Sequence, residues 1–389
     1  MLYQFKSKAE DFLVEELLPQ APKGEGDVFY VFFEKKNLTT IEVLEHLGAK
    51  LKISREDLGI AGLKDKVGIT RQRISVYKSI LQRIGGEVIF CACLEEICKI
   101  LKTTWSDHPL RIANNAGNRF VVRLRSTGLP RLTGSQGQEI KNQISANIEK
   151  VKERGFPNCF GSQRFGKRNK NFLEAKKIME SGISGFPQSG GQYPYHLKFM
   201  LQAYASMYFN EYVMYRREKS QLLLGGDILV DRFHPVEVKT AVYENQEVHL
   251  FDYLRCKRDF GNQSFFEPHH FNGSESYDPK KRFPTGPMLG NNLLLAPQGS
   301  KARVRDDLLL ELAEFNEQAI EVCKLYQLRG VRRALRVKVG DFAYSFEGND
   351  LLLNFSLPTG SYATVLLAFV LEGIDGKTLR ENRLEIPRI

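Results

Sequence analysis

Cysteine is scarce in this chain. Six occur in 389 residues, at positions 91, 93, 98, 159, 256 and 323. Their spacing makes no disulfide framework for a protein of this size, so reduced, packed thiols in a cytosol are expected. Cys91, Cys93 and Cys98 lie close together, yet no paired C-x-x-C follows and no histidine stands at ligand spacing. No metal is therefore expected. The adjacent His269 and His270 point apart and read as surface or loop residues. There is no G-x-x-x-x-G-K-[ST] loop, no strand–G-x-G-x-x-G–helix unit, no G-x-S-x-G elbow and no H-E-x-x-H. Their absence removes the usual signs of a nucleotide cofactor or a hydrolytic metal, so no cofactor is expected. Chemistry, if present, falls to ordinary side chains. No apolar run reaches about 18 residues, so no membrane span is expected. The leader MLYQFKSKAEDF lacks the apolar core of a signal peptide. No internal repeat or low-complexity tract is visible.

Positive charge is in excess. Lysine and arginine number 56 against 46 acids, for a net charge of +10. That balance favours an anionic partner, most often nucleic acid, although it can also be a surface habit. The length exceeds one core of ordinary size, so two domains are expected. The apolar and charged fractions, 42% and 26%, are those of a globular protein.

The texture of the chain changes twice. VFYVFF (28–33) is a strand by composition, and Thr39 with Glu42 forms a capping box that opens a helix running to about Leu51. IAG (60–62) and ITRQRISV (69–76) are short β-like runs that place Asp65 on the turn or loop between them. In FVVRLR (120–125), Phe120, Val122 and Leu124 share one face. A helix carrying Ile140, Ile144, Ile148 and Val151 ends at Gly155. Beyond it lie a long amphipathic helix (197–217), short strands among glycines and prolines, and a second helix at about 304–327 with leucines on its inner face. From RRALRVKV (332–339) the β texture returns, with the hairpin FAYSFE–GND–LLLNFSL and then a helix entered through LPTGSYAT. The expectation is one α+β domain from residues 1–154 and 332–389, interrupted by an inserted domain at 155–331.

Asp65 stands in GLKDKVGITRQRISV, a single acid between Lys64 and Lys66. A carboxylate can be a nucleophile or a base, and nearby cations would keep it ionised. The plainer reading is a turn aspartate in a surface ion cluster. NCFGSQRFGKRNKNF (158–172) interleaves Phe160, Phe165 and Phe172 with Arg164, Lys167, Arg168 and Lys170. Aromatics stack bases and cations hold phosphates, which is how single-stranded or opened RNA is gripped. The alternative is a loop with buried phenylalanines and a solvated basic flank. KSKAEDFLVEE reads alone as an edge strand with charged ends. Asn118 and Phe120 in GNRF read as a turn entering a strand, Tyr362 as a helix-start aromatic and FPTGPMLG (283–290) as a Pro-Gly turn.

In order, EDFLVEE, AGLKDK with TRQ, GNRF, PNCFGSQRFG, FPTGPMLG and LPTGSYAT closely resemble the motifs of the TruD family of tRNA pseudouridine synthases, from about residue 6 to residue 367. The resemblance implies a pseudouridine-synthase-type catalytic domain with a mixed, largely antiparallel sheet and an inserted TRUD domain, with RNA taken between them. It implies an enzyme that isomerises a uridine in tRNA, the familiar bacterial target being uridine-13 of the D arm, without cofactor or metal. It puts the catalytic aspartate at Asp65. Phe12, Asn118 and Tyr362 would line the pocket, Phe120 would lie near the flipped base, and Lys6 would sit beside the catalytic carboxylate. Lys64 is a candidate RNA contact, and Gln163 and Arg164 are assigned to RNA contact or to the domain junction. A cytoplasmic monomer with tRNA as partner is expected. Two features depart from the family pattern: an abbreviated leader before Lys6, and Ala368-Phe369 where many relatives have an Arg-Glu pair. A different class remains open, a non-catalytic RNA-binding or RNA-folding protein using the same basic and aromatic surface. A base-excising hydrolase is a third reading.

Overall fold

The computed structural model describes residues 2–64, 66–112, 114–128, 134–182, 195–220, 223–231, 237–238, 269–270 and 282–389. In chain order the elements are β1 (Tyr3–Gln4), β2 (Phe12–Leu17), β3 (Val28–Lys36), α1 (Thr40–Leu51), β4 (Leu58–Ile60), β5 (Ile69–Tyr77), α2 (Lys78–Ile84), α3 (Glu87–Glu95), β6 (Lys99–Ser106), β7 (Gly117–Ser126) and α4 (Gly134–Arg154). There follow β8 (Phe156–Pro157), α5 (Lys170–Ser181), α6 (Tyr195–Glu218), β9 (Ile228–Asp231), β10 (Glu237–Val238), β11 (His269–His270), β12 (Arg282–Met288), α7 (Lys301–Leu312) and α8 (Glu317–Leu325). The chain closes with β13 (Val331–Ala334), β14 (Arg336–Val337), β15 (Gly340–Glu347), β16 (Asp350–Pro358), α9 (Ala363–Val370) and α10 (Gly376–Glu381).

The chain divides into two compact units, Met1–Lys141 with Val339–Thr359, and Asn142–Lys338 with Gly360–Ile389. The first unit is built on one sheet in the order β15-β16-β7-β2-β5-β3-β6, with β1 on β7 and β4 on β5. Among its described strands only the β2–β5 pair is parallel, so the sheet is mixed and largely antiparallel, as expected for the α+β class. The capping box of α1 is formed: Thr39 Oγ1 accepts from Glu42 N (3.0 Å) and Thr39 N donates to Glu42 Oε2 (2.6 Å). Helices α1, α2 and α3 bury Val43, Leu44, Leu47, Leu81, Phe90 and Leu94 against Phe29, Val31, Phe33, Ile74 and Val76 of the sheet. Cys91, Cys93 and Cys98 pack on this cluster as small hydrophobes. Burial pushes the Cys98 thiol up to about 12.

KSKAEDFLVEE does not form an edge. β2 is an interior strand, paired on both sides by β7 and β5. The acids at its ends are paired, beginning with buried Asp11, which takes two contacts from half-buried Arg125 (Nε to Oδ2 2.8 Å, Nη2 to Oδ1 2.7 Å).

In the second unit a five-stranded antiparallel sheet, β10-β13-β12-β9-β11, stands with a small β14-β8 pair and the remaining helices. FPTGPMLG is a strand here, not a turn. Phe283 and Pro284 pair with β9, then Thr285 to Met288 pair with β13, and Pro284, which has no N–H to donate, still accepts at its carbonyl from Leu335 N (2.9 Å). Gly286 is required by close approach, because a Cβ there would lie 2.7 Å from the Tyr212 ring. Arg332 Nε donates to Thr285 Oγ1 (2.8 Å), Arg332 Nη1 meets Asp306 Oδ2 (2.7 Å), and Tyr212 donates to Asp306 Oδ1 (2.9 Å). These groups are buried together and satisfy one another. The helix expected at 304–327 is two, α7 and α8, because Glu314 turns left-handed (φ 47°) and Asn316 caps a new start by accepting from Ala319 N (3.0 Å). The α7 leucines Leu308 and Leu312 are exposed rather than inward. His269 and His270 form β11 against β9.

Candidate active site

Strand alternation puts Phe12, Val14 and Glu16 of β2 on one face of the first unit's sheet. Register brings Val122, Phe120 and Asn118 of β7 opposite them in that order. On β16, Phe355 faces Phe120 and Leu357 faces Asn118. On the other flank Thr70 of β5 lies beside Val14, and Lys35 and Phe33 of β3 face Thr70 and Gln72. One surface therefore carries an aromatic half and a polar half.

The aromatic half is a continuous row. Phe5 meets Phe12 edge-on at 5.4 Å, Phe12 lies 6.1 Å from Phe120, Phe120 stacks on Phe355 at 5.2 Å, and Phe342 meets Phe355 at 5.7 Å. Lys6 sits above it, with Nζ 3.9 Å from the Phe12 ring centre, a cation–π contact. Its backbone is left-handed at φ 55°.

The polar half carries the loop that contains position 65. Asp65 itself lies outside the described residues. Both of its neighbours are held. Lys64 N donates to Thr40 Oγ1 (2.9 Å), which donates to Gln72 Oε1 (2.9 Å). Lys64 Nζ lies 3.3 Å from Glu16 Oε1, too poorly aligned for a hydrogen bond, and the two side chains are 9% and 1% exposed. Glu16 Oε2 also takes Arg73 N at 3.3 Å. Lys66 donates to Glu42 Oε1 (2.6 Å), and that hydrogen bond, with the Thr39 cap, holds the Glu42 carboxyl down at about 2. Arg71 is paired with Glu34 (2.8 Å) and Glu15 (3.5 Å). The loop returns through Gly68, whose φ of +128° and 2.6 Å approach to the Phe12 carbonyl admit no side chain.

Two further polar atoms on this face are buried without a hydrogen-bond partner among the described residues, Asn118 Oδ1 and Gln72 Nε2. One is an acceptor and the other a donor. Each costs about 1–3 kcal/mol while unmet.

Phe12, Asn118 and Phe120 share one face of the sheet, with Lys6 over the Phe12 ring. Lys64 departs from its expected part: it is an internal anchor and not an exposed phosphate contact. Tyr362, Gln163 and Arg164 belong to the second unit. Tyr362 is the N-cap residue of α9, half-buried, with its ring 5.7 Å from Phe160. Gln163 is exposed. Arg164 is braced against α6 by Gln202 Oε1 (2.9 Å) and Ser206 Oγ (3.3 Å) and stacks on Phe199 (4.5 Å). Phe160, Phe165 and Phe172 are core residues, so the base-stacking reading of that run does not hold for them. Glu16, Thr40 and Gln72 were not among the residues singled out by sequence. The available signal was polarity at inward strand positions, with Gln72 two residues before buried Ile74.

Among the described residues no group of three or more His, Cys, Asp or Glu is gathered as a metal set. No described helix is long and apolar enough to cross a membrane.

A profile of the family described as tRNA pseudouridine synthase D (TruD) matches residues 3–189 and 191–369. The tRNA pseudouridine synthase D of Geobacter sp. strain M21 is 28% identical over 400 residues, covering 94% of this chain and 96% of its own. That of Geobacter sulfurreducens is 30% identical over 399 residues, covering 95% and 93%. That of a Thermus thermophilus strain is 28% identical over 379 residues, covering 95% and 88%. Among solved structures, a Methanosarcina mazei protein named for tRNA pseudouridine synthase D superposes with a TM-score of 0.63 at 20% identity, covering 95% of this chain and 93% of that one, a likeness of fold.

Proposed function

The chain belongs to the tRNA pseudouridine synthase D (TruD) family, and from that premise we propose that Asp65 is the group that reacts with the target nucleotide. The protein is a tRNA pseudouridine synthase, an isomerase. The observation that carries the proposal is the separate pairing of the cations around position 65. Lys64 has Glu16, Lys66 has Glu42 and Arg71 has Glu34. These pairs tie down Lys64 and Lys66 on either side of position 65, which supports a loop built to hold that residue in place.

Isomerisation conserves atoms. The N1–C1′ bond of the target uridine breaks, the uracil turns, a C5–C1′ bond forms, the hydrogen on C5 leaves as a proton, and N1 takes up a proton from solvent. The Asp65 carboxylate adds to the ribose or to the uracil ring and is released at the end. The nucleotide must first leave its stack, which costs a few kcal/mol. Phe12 and Phe120 provide an apolar wall for it, and Asn118 Oδ1 accepts the N3–H of the uracil. Lys6, seated over Phe12, supplies the cation beside the carboxylate. Taken by itself, the second unit offers the RNA Tyr362 as a stacking face and Gln163 as an exposed contact, with Arg164 holding that turn. The target is uridine-13 in the D arm. By function the division proposed is an insertion at residues 155–331 within a catalytic domain of residues 1–154 and 332–389, a different cut from the two compact units, which group Gly360–Ile389 with Asn142–Lys338.

Tritium release from tRNA labelled at uracil C5 tests this, because isomerisation displaces that hydrogen and binding does not. Asp65→Asn is expected to bind tRNA within a few-fold of wild type and to release no tritium. Release at the wild-type rate would remove Asp65 from the chemistry. Release from tRNA lacking uridine-13 would remove that target alone.

A further inference from the structure

The turn that follows β8 and leads into α5 is basic, and the chemistry above uses little of it. From residue 159 to residue 177 the sequence has six cations, Arg164, Lys167, Arg168, Lys170, Lys176 and Lys177, against one acid, Glu174. Two buried rings, Phe165 and Phe172, pin the turn. Asn171 closes it between them: its N donates to Phe165 O (3.0 Å) and its Nδ2 to Arg164 O (3.4 Å). Lys170 is paired with Glu174 at 3.4 Å. Lys167 and Arg168 are exposed and make no ion pair with any described residue. Arg164 opens the turn with its charge unmatched, because its side-chain partners, Gln202 and Ser206, are neutral. Its guanidinium lies 4.5 Å from the Phe199 ring centre, and Phe199, unlike the two phenylalanines that pin the turn, is 39% exposed.

A solvated basic face accounts for Lys167 or Arg168 taken singly. A lone exposed ring is not unusual either. The combination points to a ligand: an open ring on α6, a guanidinium fixed against it by neutral partners, and two uncommitted cations on a turn held at both ends. Chain length alone keeps the Cα atoms of Lys167 and Arg168 within about 14 Å of that of Arg164. Aromatic rings and guanidinium planes stack unpaired bases, and cations beside them hold the phosphates. An inorganic anion would need no ring, and an apolar peptide would need no charge.

We propose that Phe199 and the Arg164 guanidinium stack one unpaired base of the tRNA, other than the uridine that is isomerised, and that Lys167 and Arg168 hold the adjoining phosphates. The proposal rests on the tRNA reading above. The phenylalanines of the turn are its buried anchors, and the ring that meets RNA comes from α6.

The test uses the full chain and a tRNA transcript, with binding measured across a range of salt. Lys167→Glu combined with Arg168→Glu is expected to weaken binding by about tenfold or more and to lower the salt slope of log K by about 2. Phe199→Leu keeps an apolar side chain and removes the ring. It is expected to weaken binding about tenfold with the slope unchanged, while Phe199→Trp binds as wild type does. The nucleotide held here does not react, so KM is expected to rise and kcat to hold. The three positions are exposed, and matching melting curves check that the variants fold. Wild-type binding by the double variant or by Phe199→Leu, or a fall in kcat at unchanged KM, overturns the surface. Tritium release, read on the same samples, separates the two claims. Normal release by the wild type with those negative results leaves the enzyme reading standing and removes this surface alone. Weakened binding in the variants, beside a wild type that releases no tritium, does the reverse. Absence of any tRNA binding by wild type overturns both.

Discussion

Lys64 and Glu16 are a buried ion pair joining a loop to strand β2, Nζ to Oε1 3.3 Å, one residue before the position proposed to react. A buried pair of this kind is weak evidence of net stabilisation, because removing both charges from water is costly. Its importance is geometric. The ammonium pins the chain one residue before Asp65, while Lys64 N, Thr40 and Gln72 form a hydrogen-bonded chain that holds the backbone.

Breaking the pair from one side should therefore be expensive. Glu16→Gln leaves Lys64 charged in the interior, and a loss of about 3–5 kcal/mol is expected, as for other half-broken buried pairs. Lys64→Met does the same to Glu16. The double variant is expected to lose clearly less than the sum of the two, with a coupling above about 1 kcal/mol. Urea unfolding of the four proteins, followed at a probe in the first unit, measures the cycle. Strict additivity would show that the pair does not act as one.

Phe12 and Tyr362 should separate. Both look like pocket aromatics in the sequence. Phe12 is 7% exposed and packed against Phe5, Phe120 and Lys6, so Phe12→Ala is expected to cost about 3 kcal/mol of stability as well as activity. Tyr362 is half-buried at a helix start, and Tyr362→Ala is expected to lower kcat/KM about tenfold, the worth of a base stacked on a ring, with little change in melting temperature. The comparison is melting temperature against tritium release per folded molecule. A Tyr362→Ala protein that melts early and reacts normally would make Tyr362 a packing residue.

How much of this was legible depended on range. The Thr39–Glu42 capping box, the alternation of Phe120, Val122 and Leu124, and the hairpin now seen as β15 and β16 are set by neighbours within a few residues, and each formed where the sequence placed it. KSKAEDFLVEE looked like an edge because its ends are charged. Those charges are matched by Arg125 and Lys64, 114 and 48 residues away, which no local pattern reveals. FPTGPMLG looked like a turn because of its two prolines, and it is a strand because its ladder passes from β9 to β13 partway along. In the candidate site, the motif aromatics could be named from sequence. Glu16 and Gln72 could not, because their role depends on lying beside one another's strands beneath the loop.

Acid should release the other flank of that loop. The Glu42 carboxyl, ordinarily at 4.5, is brought to about 2, chiefly by the hydrogen bond from Lys66 and then by the Thr39 cap. A carboxylate depressed in the folded state contributes stability above its unfolded value and loses that contribution as pH falls towards its folded value. The window is therefore pH 4.5 down to about 2, and the loss weakens the carboxylate half of the α1 capping box and the tether of Lys66 together. Thermal unfolding from about pH 6 to about pH 3 is expected to show a steeper fall for wild type than for Glu42→Gln, since the amide has nothing to titrate there. At neutral pH the variant should already have lost the tether, so its turnover should fall while tRNA affinity holds. Parallel acid limbs for the two proteins would mean that the Lys66–Glu42 contact does not set the position of the loop.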